Sequence, residues 1–272
     1  MYPRLVQFGH VAIPTYGAFI ALALIAALAA VVYFARRLTL DTGKLWNLGL
    51  IAIFTALIGA RLLLAAVYFG AFREHPFWVL GLGTSHHSWI NAVAVLLGVT
   101  AGLLYVMAEG LPHLRVLDCV AASATVGLVL SSTGAFLAGV GYGLPAGNGW
   151  SVTYRSPFAA YWYGTPLGFQ LYPVQLYQAV VFLAILALLL WWLPRRRQDG
   201  ELVGAWLFLA GFTGFFLDLY RASGRIDFVF HQVICALMVI ASAAFLVRRG
   251  SGARTDCLAA HDYTVVDDSQ HI

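Results

Sequence analysis

The sequence predicts an all-α, polytopic integral membrane protein with about seven transmembrane helices, and three observations lead there. Of its 272 residues, 61% are hydrophobic and only 10% are charged, whereas an ordinary soluble domain carries about 25% charged residues. The mean hydropathy is +0.81, more apolar surface than a soluble core can hide. Apolar runs long enough to cross a hydrocarbon layer of roughly 30 Å recur between charged or Pro/Gly-rich breaks. They fall near 15–35, 48–69, 88–107, 117–140, 174–193, 203–220 and 230–247. These spans and their short connections form one membrane domain over residues 1–250 and leave 251–272 as a polar tail.

The basic residues set the orientation. With the N-terminus outside, the inward segments hold Arg36, Arg37, Lys44, Arg115, Arg195, Arg196, Arg197, Arg248, Arg249 and Arg254. The outward segments hold Arg4, Arg73, Arg155, Arg221 and Arg225. This ten-to-five split predicts N-out and C-in by the positive-inside rule. It also accounts for the net charge of +4 without a nucleic-acid partner, because the cations form no continuous stripe. No basic n-region followed by an apolar run and a cleavage site opens the chain, so the first helix is expected to serve as its own membrane signal. Cys119, Cys235 and Cys257 are far apart and match no metal or disulfide spacing. The connection 141–173, rich in Gly, Tyr and Trp, suits an ordered extracytoplasmic loop at headgroup level. The tail after Arg254 has no helical periodicity and is expected to be a structureless cytoplasmic end.

The residues able to do chemistry are few. An ionisable group inside a span costs roughly 2.5–3.5 kcal/mol on insertion scales, so it needs a partner, a wet cavity or a route to the surface. Arg61, in GARLLLAAVYFG, lies toward the outer half of the second span, where its stem can snorkel or its charge can meet a lipid. His86 and His87, in GTSHHSW, enter the third span, and a histidine exchanges protons near neutral pH. Solvated interfacial histidines are the plainer reading. No Cys/His set completes a metal site around them, so neither a metal nor a cofactor is expected.

Ala135, Gly139 and Gly143 are spaced four apart at the end of the fourth span. They suit close helix packing or a bare notch for a headgroup. Gln175 and Tyr177, in YPVQLYQA, stand in the first turn of the fifth span, where they either bond headgroups or simply start a helix. At the end of the sixth, Asp218, Arg221 and Arg225 share one helical face if the helix continues that far. Such a set suits an anionic phosphate and the group that holds its arginine, or an ion pair with no ligand.

Taken in order, IPTYGAFIALA, LTLDTGKLWNLGLIAIFTALIGARLLLA, GTSHHSW, GAFLAGVGYG, YPVQLYQA and FFLDLYR make the chain resemble the bacterial prolipoprotein diacylglyceryl transferases from about residue 8 to 247. The resemblance implies a seven-span inner-membrane enzyme. It would move a diacylglyceryl group from phosphatidylglycerol to the cysteine thiol of a prolipoprotein signal peptide, releasing glycerol 1-phosphate near the outer leaflet. It places the family's first-span tyrosine on Tyr16, its GAR arginine on Arg61 and its motif histidine on His87. The sixth-span acid falls on Asp218, the arginine after it on Arg221, the signature glycine on Gly143, and the Q-L-Y on Gln175, Leu176 and Tyr177. His87, Asp218 and Arg221 are thereby the expected catalytic residues, and Tyr16, Arg61, Gly143, Gln175 and Tyr177 the expected substrate-binding ones.

Departures accompany the match. Ser132 and Gly214 stand where the family has arginines, Ala135 where it has asparagine or cysteine, and Ser88 and Trp89 where glycines follow the histidine. Two lost charge-assisted phosphate contacts motivate an alternative, a catalytically impaired or re-specialised lipid-binding homologue. A transporter ranks behind both, because the spans show no inverted repeat.

The orientation is open to direct measurement. With Cys119, Cys235 and Cys257 changed to serine, a cysteine placed at Arg155 is expected to react with an impermeant maleimide in intact cells. One placed at Gln198 is expected to react only after the membrane is opened.

Overall fold

A chain in hydrocarbon must satisfy its backbone N–H and C=O groups internally, and helices do this within one segment. The computed structural model, which describes residues 3–8, 11–74, 88–147 and 150–268, is accordingly mostly helical. A small antiparallel hairpin, β1 (Arg4–Phe8) and β2 (Val11–Pro14), leads into α1 (Thr15–Arg37). Then come α2 (Thr42–Val67), the short α3 (Phe69–Glu74), α4 (Ser88–Ala108) and α5 (His113–Ala138). Within the 141–173 connection lie β3 (Val152–Thr153), α6 (Pro157–Tyr163) and β4 (Gln170–Leu171). The chain closes with α7 (Val174–Trp192), α8 (Glu201–Asp218) and α9 (Arg225–Asp268).

Seven of these helices are long and apolar enough to cross a membrane: Thr15–Arg37, Thr42–Val67, Ile90–Ala108, His113–Ala138, Val174–Arg195, Glu201–Asp218 and Arg225–Val247. The protein is a polytopic membrane protein. Large apolar side chains such as Ile25, Leu62, Leu96, Leu183 and Leu237 are exposed on the outside of the bundle, as contact with lipid tails requires.

Where the boundaries differ from expectation, local chemistry explains it. The second span starts six residues early because Asp41 caps it: its Oδ1 accepts from Gly43 N at 2.8 Å and from Lys44 N at 3.2 Å. The tail expected to be structureless continues α9 as helix to Asp268. Once the membrane span has met the cost of nucleation, each further residue adds a hydrogen bond.

Helices gain no hydrophobic drive from meeting each other in lipid, so close packing has to hold them. The principal pairs are α1 with α5, α2 with α4, α8 with α9 and α5 with α7, and glycines let their backbones approach. A Cβ on Gly98 would lie 2.6 Å from Ala52 O, and one on Gly211 would lie 2.9 Å from Cys235 O. The small face of α5 uses Gly127 against Ala23 and Gly134 against Phe19. It is not the expected Ala135, Gly139, Gly143 stripe, because α5 ends at Ala138 and Gly139 turns left-handed (φ 88°) as its C-cap.

The buried apolar cluster lies toward the arginine-rich end of the bundle. It joins Phe34 and Leu38 near the end of α1, Leu45 at the start of α2, Val116 and Cys119 early in α5, Leu189 late in α7, and Leu202 early in α8. A polar clasp closes the same end. The Asp118 carboxylate of α5, fully buried, accepts from Gly200 N at 2.7 Å and Val203 N at 2.8 Å. It thereby caps α8 from another helix, at the end where the helix dipole favours a negative charge. Arg196 Nη1 stands 3.6 Å from Asp118 Oδ2 and 3.0 Å from Asp199 Oδ1, while Arg115 grips Asp199 at 2.9–3.2 Å. Between α2 and the end of the neighbouring α4, Lys44 pairs with Glu109 at 2.8 Å. The Arg-rich end is thus the closed end, opposite the loop end that carries the 141–173 connection.

Asp118→Ala is expected to lower the melting temperature of the detergent-purified protein, because each buried group it leaves unpaired costs about 1–3 kcal/mol. Asp118→Asn, which keeps one acceptor oxygen, is expected to lose less. Arg115, with help from Arg196, holds the Asp199 carboxyl below the usual range against a smaller opposing effect of burial. A carboxylate with a depressed folded pKa contributes stability above its unfolded value of about 3.9 and loses it as pH falls toward the lower folded value. Thermal melts between neutral pH and pH 3 should therefore show acid destabilisation that Asp199→Asn makes shallower.

Candidate active site

At the loop end, three connections meet as extended backbone. The segment 142–146 lies between two others. On one side Gly143 N donates to Tyr172 O at 3.1 Å, Tyr172 N to Leu144 O at 3.0 Å and Ala146 N to Gln170 O at 2.8 Å. On the other, Leu144 N donates to Tyr220 O at 2.8 Å and Ala222 N to Tyr142 O at 3.1 Å. Gly143 and Arg221 form an antiparallel bridge. This zipper joins the end of α5, the start of α7 and the turn after α8, and it fixes where Arg221 stands.

Gly143 has to be glycine for the zipper to close. A Cβ there would lie 2.5 Å from Tyr172 O and 2.8 Å from Val174 Cγ2. The space left by its missing side chain is therefore taken by protein, which favours the packing role over the notch.

Asp218 and Arg221 do come together, though not on one helical face with Arg225. The helix α8 stops at Asp218, Arg221 N donates to Asp218 O at 3.1 Å across a tight turn, and Arg225 begins a new helix. The Asp218 side chain is 4% exposed and its Oδ1 lies 4.0 Å from Arg221 Nε, an ion-pair contact too long for a hydrogen bond. Arg221 Nη2 instead donates to Gln178 Oε1 of α7 at 2.9 Å. Among the described residues, Asp218 Oδ2, Arg221 Nε and Ser223 Oγ are buried without a hydrogen-bond partner. Three unsatisfied polar atoms within six residues are uncommon in a native interior, and a polar ligand that both donates and accepts would satisfy them.

The first turn of α7 is anchored by the residues expected at the interface. Gln175, 2% exposed, donates through Nε2 to Val140 O at 2.8 Å and to the Tyr154 hydroxyl at 3.4 Å. It acts as a buried pin between α7 and the end of α5, a different position from the headgroup contact expected. Tyr177 donates to Trp150 O at 3.1 Å. Burial pushes the Tyr154 phenol above its ordinary value, with Gln175 opposing, so it remains a neutral hydroxyl. Thr165 Oγ1 donates to Gly139 O at 2.9 Å, tying the helix end to the loop that carries α6.

Tyr16, half-buried in the first turn of α1, sets its ring edge-on to Tyr163 at 6.5 Å and lies within electrostatic reach of Arg221. Its hairpin is held to the same loop, with the Arg4 guanidinium 3.3 Å above the Phe158 ring. Arg61 is half-buried on α2, whose main packing partners are α4 and α1, a different helix group from the one carrying Asp218 and Arg221. His86 and His87 lie outside the described residues. Ser132 is buried in α5, and the Cβ direction of Gly214 ends 3.1 Å from Cys235 Sγ. The two positions expected to carry arginines are thus absorbed into helix packing.

Gln178 is the residue that sequence reasoning passed over. It follows Gln175 by three, which places both on one face of α7, and that spacing was the available signal.

The family described as prolipoprotein diacylglyceryl transferase matches residues 3–248. Among curated relatives, the phosphatidylglycerol–prolipoprotein diacylglyceryl transferase of Clostridium tetani is 24% identical over 83% of this chain and 87% of its own. The protein of that name from Rhodospirillum centenum is 29% identical over 77% of each chain. The one from Dehalococcoides mccartyi is 25% identical over 91% of this chain and 93% of its own. With the match running from the N-terminal hairpin through the last span, the chain belongs to the prolipoprotein diacylglyceryl transferase family.

Proposed function

We propose that this chain is a transferase of the bacterial inner membrane, oriented N-out and C-in. It moves the diacylglyceryl group of phosphatidylglycerol onto the lipobox cysteine of a prolipoprotein signal peptide. The observation that carries the reading is the ion pair of Asp218 and Arg221, which leaves Asp218 Oδ2 and Arg221 Nε buried without a hydrogen bond within electrostatic reach of Tyr16, in a chain that the family matches almost end to end. Whole-length likeness to relatives named for this transfer favours it over an impaired lipid binder. Residues 1–250 form the catalytic membrane domain, and 251–272 extend from it on the cytoplasmic side.

In this reading the lipid enters from the outer leaflet. Arg221 donates to its phosphate with Asp218 as its ion-pair partner, and Tyr16 and Arg61 contact the lipid. Gly143, Gln175 and Tyr177 shape the wall around it. The acceptor sulfur attacks the glyceryl carbon that bears the phosphate oxygen. A C–S bond forms, the C–O bond breaks, and glycerol 1-phosphate leaves with the bonding electrons. His87 takes the thiol proton, which matters because a thiol of pKa about 8.5 is mostly protonated at neutral pH. The nucleophile belongs to the peptide, so no cysteine of this chain is required. With Ser132 and Gly214 adding no charge, Arg221 bears more of the phosphate, and transfer is expected to be slower than in a member with all its arginines.

The test is transfer of labelled phosphatidylglycerol to a lipobox peptide by the purified protein, alongside complementation of a transferase-depleted strain. His87→Ala is expected to cost about 10²- to 10⁴-fold, the usual range for a general base. Arg221→Ala is expected to cost about 10- to 150-fold, the worth of a hydrogen bond to a charged group. A parent protein that is inserted and folded yet transfers nothing in either assay would remove the proposal.

A further inference from the structure

A guanidinium that is to hold an anion must be fixed in direction without having its charge consumed. The ion-pair partner of Arg221 and its hydrogen-bond acceptor differ in this respect. Asp218 is the ion-pair partner, but its nearest oxygen is 4.0 Å away, too far for a hydrogen bond to the guanidinium. The hydrogen bond is the one that Arg221 Nη2 donates to Gln178 Oε1, at 2.9 Å. A guanidinium only donates, so the amide must turn its oxygen to the arginine. The bond is then directional yet leaves the net charge of the group unchanged. Gln178 is itself well placed to aim, since the turn that carries it is pinned by Gln175 to Val140 and by Tyr177 to Trp150.

The local charge makes the identity of this residue consequential. Asp218 and Arg221 sum to zero, and Ser132 and Gly214 contribute nothing. A carboxylate at position 178 would bring the trio to minus one beside a phosphate. We propose that Gln178 is a positioning and specificity residue. Its neutral amide aims Arg221 without neutralising it, and so preserves the site's preference for an anionic over a zwitterionic headgroup. This rests on the transferase reading only in taking phosphatidylglycerol as the anion.

The experiment measures binding first and transfer second, with purified full-length protein in detergent. The probes are phosphatidylglycerol and, as the zwitterionic comparison, phosphatidylcholine. Gln178→Glu is expected to weaken phosphatidylglycerol binding at least about tenfold, a size between the water and near-surface limits for one added charge at such range. Phosphatidylcholine binding should weaken less, because the choline cation offsets the charge of the same phosphodiester. The loss should shrink as pH falls and the new carboxyl is protonated. Gln178→Leu, which removes the acceptor but adds no charge, is expected to lower kcat for transfer while moving KM less than Gln178→Glu does. The double variant Gln178→Glu with Asp218→Asn returns the trio to zero and is expected to regain the binding. It also serves as the charge test should the single variant fold poorly. Equal losses from glutamate and leucine, or no recovery in the double variant, would overturn the proposal. A parent that binds phosphatidylglycerol selectively but transfers nothing would overturn the transferase reading and leave this one standing.

Discussion

In a hydrocarbon solvent, apolar side chains gain nothing by leaving lipid for one another, and this constraint shapes the whole molecule. Cohesion has to come from contacts that lipid cannot imitate, namely backbones close enough for dense packing and polar groups whose partners are other parts of the protein. The fold uses both, in different places. Glycines admit close approach along the helix pairs, with Gly98 against Ala52 and Gly211 against Cys235. Hydrogen bonds and ion pairs are concentrated at the two ends, where Asp118 caps α8 from α5 and where segment 142–146 joins three connections.

The two ends serve different purposes. At the Arg-rich end Asp118, Asp199, Arg115 and Arg196 partner one another, and an apolar cluster fills the space beneath. At the loop end, buried atoms of Asp218, Arg221 and Ser223 stay without hydrogen bonds. Tyr16 and Gln178 reach this end from α1 and α7, so the surroundings of Arg221 draw on helices far apart in sequence.

Much of the fold was legible because the length of an apolar run is a local property. All seven spans were read within a few residues, and the largest error at a start, on α2, came from a cap, Asp41, that leaves no trace in hydropathy. The pairing of Asp218 with Arg221 was legible through a spacing of three. Its form was not, because a helix and a turn bring such residues equally close, and the bridge to Gly143 that selects the turn is nonlocal. The same limit explains Gln175, which reads as an interfacial amide until Val140 and Tyr154 are seen to surround it. Gln178 carried no signal beyond its place in a helical face, since its importance depends on an arginine 43 residues away. The continuation of α9 past the membrane was missed because the tail lacks periodicity, which reports burial and not helicity.

The capping of α8 by Asp118 reaches further than its own end. A helix of 18 residues is a rod of about 27 Å, resistant to stretching and free to slide only if its ends permit. Here neither end permits it: one is tethered to the Asp118 carboxylate, and the other runs straight into the backbone bridge between Arg221 and Gly143. The height at which Arg221 sits is therefore set in part by a carboxylate at the far side of the bundle, and α8 works as a gauge rod that holds the guanidinium at a fixed depth.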